Sequence, residues 1–147
     1  VGRLTKCLRL MGYDALFFNG EDDAEMVRKS LREDRVLLTR DTRIMKRGVV
    51  TSGRLKAILI ESEDPEEQLK QVMDTLHLDS RFQPFSICLE CNQPLVARSR
   101  DEVKGRVPPY VFKTQRQYME CPECHRVYWR GTHWKAMMKK LERLADY

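Results

Sequence analysis

Apolar positions in residues 3–11 recur at helical spacing. Leu4, Cys7, Leu8 and Met11 share one face, while Arg3, Lys6 and Arg9 lie largely off it, and Gly12 follows as a natural stop. Ala15–Phe18 is a short apolar run that predicts a strand. Asn19-Gly20 predicts a turn, and Asp22 or Asp23 can N-cap a helix reaching about Leu31. Val36–Thr39 predicts a second strand, too apolar for a sheet edge and so expected to be buried on both faces, ending at Arg40-Asp41. Ala57–Ile60 predicts a third strand, and Pro65 opens a helix carrying Leu69, Val72, Met73 and Leu76. Strands alternating with helices imply an α/β fold with a parallel sheet covered by helices.

The pattern changes after residue 78. Asp79–Phe85 is polar, contains proline and has no clear period, so it reads as a linker between a domain at 1–80 and another at 81–147. Beyond it lie Cys88-Leu-Glu-Cys91, a stretch holding Pro94, Pro108 and Pro109, and Cys121-Pro-Glu-Cys124. A helix from about Thr132 then places Trp134, Met137, Met138, Leu141 and Leu144 on one side and Lys135, Lys139, Lys140 and Arg143 elsewhere. Such a stripe suits packing onto the preceding segment better than lying on a membrane surface.

Composition narrows the class. The 147 residues are 41% hydrophobic and 33% charged, with no apolar run of the roughly 18 residues that a membrane span requires and no signal-peptide pattern. No membrane association is expected. The net charge of +5 is uneven: residues 1–80 carry 14 basic and 15 acidic side chains, residues 81–147 carry 13 basic and 7 acidic. A basic second half suits a polyanionic partner, although ordinary solubility charge explains it equally well. Five cysteines are an odd number for a secreted disulfide framework. Two CxxC pairs plus a lone Cys7, read as a core thiol, instead fit a metal site in a reducing cytoplasm.

Cys88, Cys91, Cys121 and Cys124 supply four soft thiolates. Each CxxC can turn tightly enough to bring both sulfurs to one ion, and two such knuckles complete a tetrahedron around structural Zn²⁺. That site is closed to substrate, so it serves folding. A segment of some 45 residues (86–131) buries too little core to stand without such a staple. A redox CxxC would not need two copies at this spacing. His125 and His133 are expected to lie outside the ligand set.

Asp41 directly follows a predicted strand, at the carboxyl end where parallel sheets place functional loops. Asp22 and Asp23, after the preceding strand, should open onto the same edge. Clustered carboxylates of this kind suit Mg²⁺ or Mn²⁺ with water and a phosphate oxygen. Arg40, Arg43, Lys46 and Arg47 would surround Asp41 with positive charge suited to a phosphodiester backbone. The plainer explanation is that these aspartates cap helices. Glu21, Glu25, Asp34 and Glu61 read as surface residues. No Ser/His/Asp or Cys/His nucleophile arrangement and no glycine-rich phosphate loop is present.

GRLTKCLRLMGYDA (2–15), EDD (21–23), LLTRD (37–41), and CLEC…CPEC followed by VYWRGTHW (127–134) resemble the Mut-seven C-terminal RNase domain family, in the same order and over essentially the whole chain. The resemblance implies a PIN-like three-layer nuclease domain with a zinc ribbon and a metal-dependent RNase activity. Asp23, with Asp22 beside it, and Asp41 match the family's acidic positions, Arg40 matches the arginine of its TRD motif, and the four cysteines match its ribbon ligands. It also implies a further aspartate ending a strand just before Gly2-Arg3-Leu4. The chain given starts at Val1, so it is expected to lack that acid and to be weak or inactive as it stands.

These readings converge on RNA cleavage through Mg²⁺ or Mn²⁺ held by the aspartates. The ribbon would orient RNA through Tyr128, Trp129, Arg130 and Trp134, with Trp134 the best candidate for a core role instead. Two rivals remain: a non-catalytic RNA- or ribosome-binding zinc-ribbon module, and a toxin-like endonuclease controlled by a regulatory protein partner.

Overall fold

The computed structural model describes residues 2–18, 22–78 and 83–145, with the backbone alone at 144 and 145. The predicted turn at Asn19-Gly20, Glu21, positions 79–82 of the predicted linker and the side chain of Leu144 lie outside the described residues. The chain divides into two compact units: Phe17–Leu78, and Val1–Leu16 together with Asp79–Tyr147. The first helix therefore clusters with the cysteine-bearing segment, whereas the sequence pattern grouped it with the residues up to 80.

In the unit Phe17–Leu78, helix α2 (Asp23–Arg32) starts at Asp22, whose side chain accepts a hydrogen bond from the Ala24 amide at 2.9 Å. Strand β1 (Leu37–Thr39) pairs in parallel with β2 (Ala57–Leu59), Leu37 opposite Ala57 and Thr39 opposite Leu59. A parallel pair needs a crossover. Here it contains two short helices, α3 (Thr42–Met45) and α4 (Gly48–Thr51). Val27, Leu37, Ile44 and Leu55 form the buried cluster, with Met26, Leu31, Val49, Val50 and Ala57 packed around it. Helix α5 (Pro65–Leu76) is capped by Asp64, carries proline at its start and ends at His77 in the left-handed region. Its Leu69, Val72 and Met73 are buried, as their spacing predicted.

In the other unit, helix α1 (Gly2–Leu10) buries Leu4 and Leu8. It stops where Gly12 takes φ +98°, and a Cβ there would lie 2.9 Å from Gln83, so only glycine fits. Strands β3 (Val96–Arg98), β4 (Tyr118–Glu120) and β5 (Val127–Tyr128) form an antiparallel sheet in the order β3-β4-β5. Between β3 and β4, helix α6 (Pro109–Thr114) contributes Val111 to a small core with Val103, Val107 and Tyr118. Helix α7 (Thr132–Ala145) buries Met138 and Leu141 and leaves Lys135, Lys139, Lys140 and Arg143 exposed. Among the described residues, no helix is long and apolar enough to cross a membrane.

Several expectations need correction. Ala15–Phe18 is not a strand, and Leu16 and Phe17 are 42% and 50% exposed. The polar groups of Ala15 are satisfied by side chains: its amide donates to Asn92 Oδ1 at 3.0 Å and its carbonyl accepts from Arg9 Nε at 2.8 Å. That arrangement replaces a sheet ladder. Among the described residues the parallel sheet has only β1 and β2. Val36 precedes β1 and is exposed, and Leu38 is half-buried, so the strand is less enclosed than its composition suggests. Arg9, expected off the buried face, is buried, and Cys7, read as a core thiol, is only half-buried.

Ile44 ties α3 to the core three residues after Asp41 and is 2% exposed. Ile44→Ala should destabilise the protein by about 2–5 kcal/mol and Ile44→Val by about 0.5–1.5 kcal/mol, read from denaturant midpoints.

Candidate metal centre and carboxylate cluster

The Sγ atoms of Cys88, Cys91, Cys121 and Cys124 all lie within 4.8 Å of one another. Cys88 Sγ and Cys124 Sγ are 3.7 Å apart. A tetrahedron with Zn–S bonds of about 2.3 Å has sulfur–sulfur edges of about 3.8 Å, so the donors fit Zn²⁺ in both number and spacing. Cys88 and Cys121 are fully buried and the other two half-buried.

The two knuckles repeat one backbone design. The Cys88 amide donates to the Gln93 carbonyl at 2.8 Å, and the Asn92 amide returns to the Cys88 carbonyl at 3.0 Å. In the second knuckle the Cys121 amide donates to Arg126 O at 3.0 Å and the His125 amide to Cys121 O at 2.8 Å. Closing each loop puts the residue after the second cysteine in the left-handed region, Asn92 at φ 60° and His125 at φ 63°. Asparagine and histidine tolerate that region better than most side chains. His125 is thus a turn residue, and the donors close enough to share one ion are the four thiols that the spacing predicted.

Hydrogen bonds grade the thiols. Burial pushes Cys88 up, but the Tyr128 hydroxyl 3.2 Å away, the amides of Cys91 and Glu90, and Cys124 outweigh it and bring it down to about 7. Hydrogen bonding with Cys124, then burial and Cys121, push Cys91 up to about 12. Once one sulfur is a thiolate, its neighbours resist ionising unless a cation joins them, so loading the site releases protons.

The first knuckle also grips α1. The buried Arg9 donates from Nη1 to the Leu89 carbonyl at 2.8 Å. Asn92 Nδ2 donates to Asp14 at 2.6 Å, and Lys6 pairs with Glu90 at 2.9 Å. Beside the second knuckle, buried Glu120 accepts from Arg106 at 2.8 Å and Arg98 at 3.2 Å and meets His125 Nδ1 at 3.1 Å. Arg106 first, then His125, draw its carboxyl down to about 2. Spacing alone does not single out Arg9, Asn92, Tyr128 or Glu120.

The predicted acidic residues sit at helix starts. Asp22 caps α2, and Asp23 is its first residue. Asp41 caps α3, accepting from the Arg43 amide at 2.9 Å, and its two carboxylate oxygens also take Arg43 Nε at 3.1 Å and Nη2 at 2.9 Å. Arg43 therefore holds the Asp41 carboxyl below its usual range. Asp41, through its hydrogen bonds and charge, and then Asp23, through its charge alone, in turn stabilise the Arg43 charge. Arg47 adds its field at Asp41. Arg40 instead pairs with Glu63 at 3.5 Å, and Lys46 is exposed at the C-terminal end of α3. Among the described residues, the cysteines form the only group of three or more acidic, cysteine or histidine donors close enough to share an ion. Arg130 lies 5.3 Å above the Trp134 ring and 5.7 Å from Phe85, which stacks on Trp134 at 5.0 Å, so Trp134 is engaged by its own chain.

A small parallel sheet within an α/β arrangement and a four-cysteine ribbon define a mixed α/β protein with a cysteine cluster that could form a zinc site. The family model described as Mut7-C RNAse domain matches residues 1–141, and the chain belongs to that family. No curated protein and no solved structure gives a significant match to the chain.

Purified protein should hold close to one zinc per chain. Cys121→Ser should lose the metal and melt the segment 86–131, read by metal analysis and circular dichroism. Full zinc content and an unchanged melting curve in that variant would contradict the assignment.

Proposed function

We propose that the protein is a metal-dependent ribonuclease whose α/β unit is of the PIN-like three-layer class and whose zinc ribbon binds RNA. The family match over residues 1–141 carries this reading. Asp41, with Asp23 and Asp22, provides carboxylates for Mg²⁺ or Mn²⁺, which needs only one or two protein carboxylates beside water and substrate oxygens. When bound, such an ion supplies an activated water and charge for the phosphodiester oxygens. Arg43 is almost wholly exposed, so its bond to Asp41 is a surface pair that substrate or ion can displace. Arg40, Arg43, Lys46 and Arg47 attract the backbone, and Arg130 and the ribbon's basic surplus extend that attraction.

A second reading, a non-catalytic RNA- or ribosome-binding module, draws support from the hydrogen bonds that make Asp22 and Asp41 helix caps. Asp41→Asn separates the two. Asparagine caps a helix as well as aspartate does, so folding is preserved while an anionic ligand is lost. In the natural protein, Mg²⁺- or Mn²⁺-dependent cleavage of RNA should disappear in Asp41→Asn with the melting temperature and RNA affinity nearly unchanged. Wild-type cleavage rates in that variant would sink the ribonuclease site as drawn.

A further inference from the structure

The ribbon carries a groove of about 390 Å³ between its two knuckles, at the small end of the range of about 300–1,000 Å³ for ligand sites. Leu89 and Glu90 of the first knuckle, Arg106 and the run from His125 to Trp129 line it. Its aromatic members are fixed. The Tyr128 hydroxyl bonds Cys88 Sγ and the Leu89 amide, each at 3.2 Å. Trp129 packs against the cluster of Val103, Val107, Val111 and Tyr118, and a Cβ on Gly131 would come within 3.1 Å of its indole nitrogen. The charge is ordered too. Arg106 is locked by Glu120 at 2.8 Å and the His125 carbonyl at 2.9 Å, while the Arg126 side chain is exposed at the rim. Glu90, the one carboxylate on the lining, is offset by Lys6 at 2.9 Å.

A ligand for this groove needs a flat face for the aromatics and negative charge for two guanidinium groups. A nucleotide has both, and single-stranded RNA is read by such stacking combined with phosphate contacts. The excess of 13 basic over 7 acidic residues in 81–147 favours a polyanion over a neutral aromatic ligand. We propose that this groove seats one nucleotide of single-stranded RNA, its base against Trp129 and Tyr128 and its phosphate at Arg126 and Arg106. The inference rests on RNA being the protein's substrate and specifies where the ribbon holds it.

Fluorescence anisotropy of a labelled oligouridylate of about eight nucleotides on the zinc-loaded full chain tests it. Divalent ions are left out of the titration so that binding is read without cleavage. Arg126→Glu should weaken binding about tenfold and flatten the slope of log affinity on log salt by about 0.7 or more, with zinc content and melting unchanged. Arg116→Glu, the same charge change at an exposed ribbon position off the groove, should have a much smaller effect. Equal losses in the two variants, or wild-type affinity in Arg126→Glu, would overturn the groove. If metal-dependent cleavage persisted, the ribonuclease reading would stand. A wild-type chain that binds no RNA would overturn both.

Discussion

Four cysteine sulfurs within 4.8 Å of one another cannot all be thiolates unless a cation lies among them, and the backbone of this ribbon is arranged to bring them there. Each knuckle closes through the same pair of main-chain hydrogen bonds, which forces Asn92 and His125 into left-handed backbone. The core of Val103, Val107, Val111 and Tyr118 is small, and a metal staple at the four cysteines would supply the stability that such a core lacks. The first knuckle holds α1 through Arg9 and Glu90, and the segment just after the helix through Asn92. Losing the metal should therefore loosen the helix as well as the ribbon.

The carboxylates of the other unit illustrate a different constraint. A residue that ends a parallel strand and begins a helix is placed to cap, and Asp41 does so while binding Arg43 with both oxygens. Capping and cation binding are compatible, because a cap uses one carboxylate lone pair and leaves others for a ligand. Arg43 meanwhile offsets the charge that Asp23 and Asp41 would otherwise concentrate. An exposed arginine in that role can leave when a phosphate or a metal ion arrives.

Features encoded locally were legible in the sequence. The CxxC spacing, the caps at Asp22 and Asp41, the proline that opens α5 and the glycine that ends α1 each act through a few neighbouring atoms. Ala15–Phe18 was misread because an apolar run fixes neither pairing nor burial: Leu16 and Phe17 are exposed, and Arg9 and Asn92, the latter 77 residues away in the chain, take the hydrogen bonds of Ala15. The burial of Arg9 was hidden for the same reason, since its partners are carbonyls that no side-chain pattern encodes. The family was legible because several separate motifs occur in order, and the match over residues 1–141 bears that out.

X-ray absorption at the zinc edge of the purified protein tests the central claim most directly. The account predicts a first shell of four sulfur atoms at about 2.3 Å with no nitrogen. A shell containing a histidine nitrogen, or fewer than four sulfurs, would contradict it.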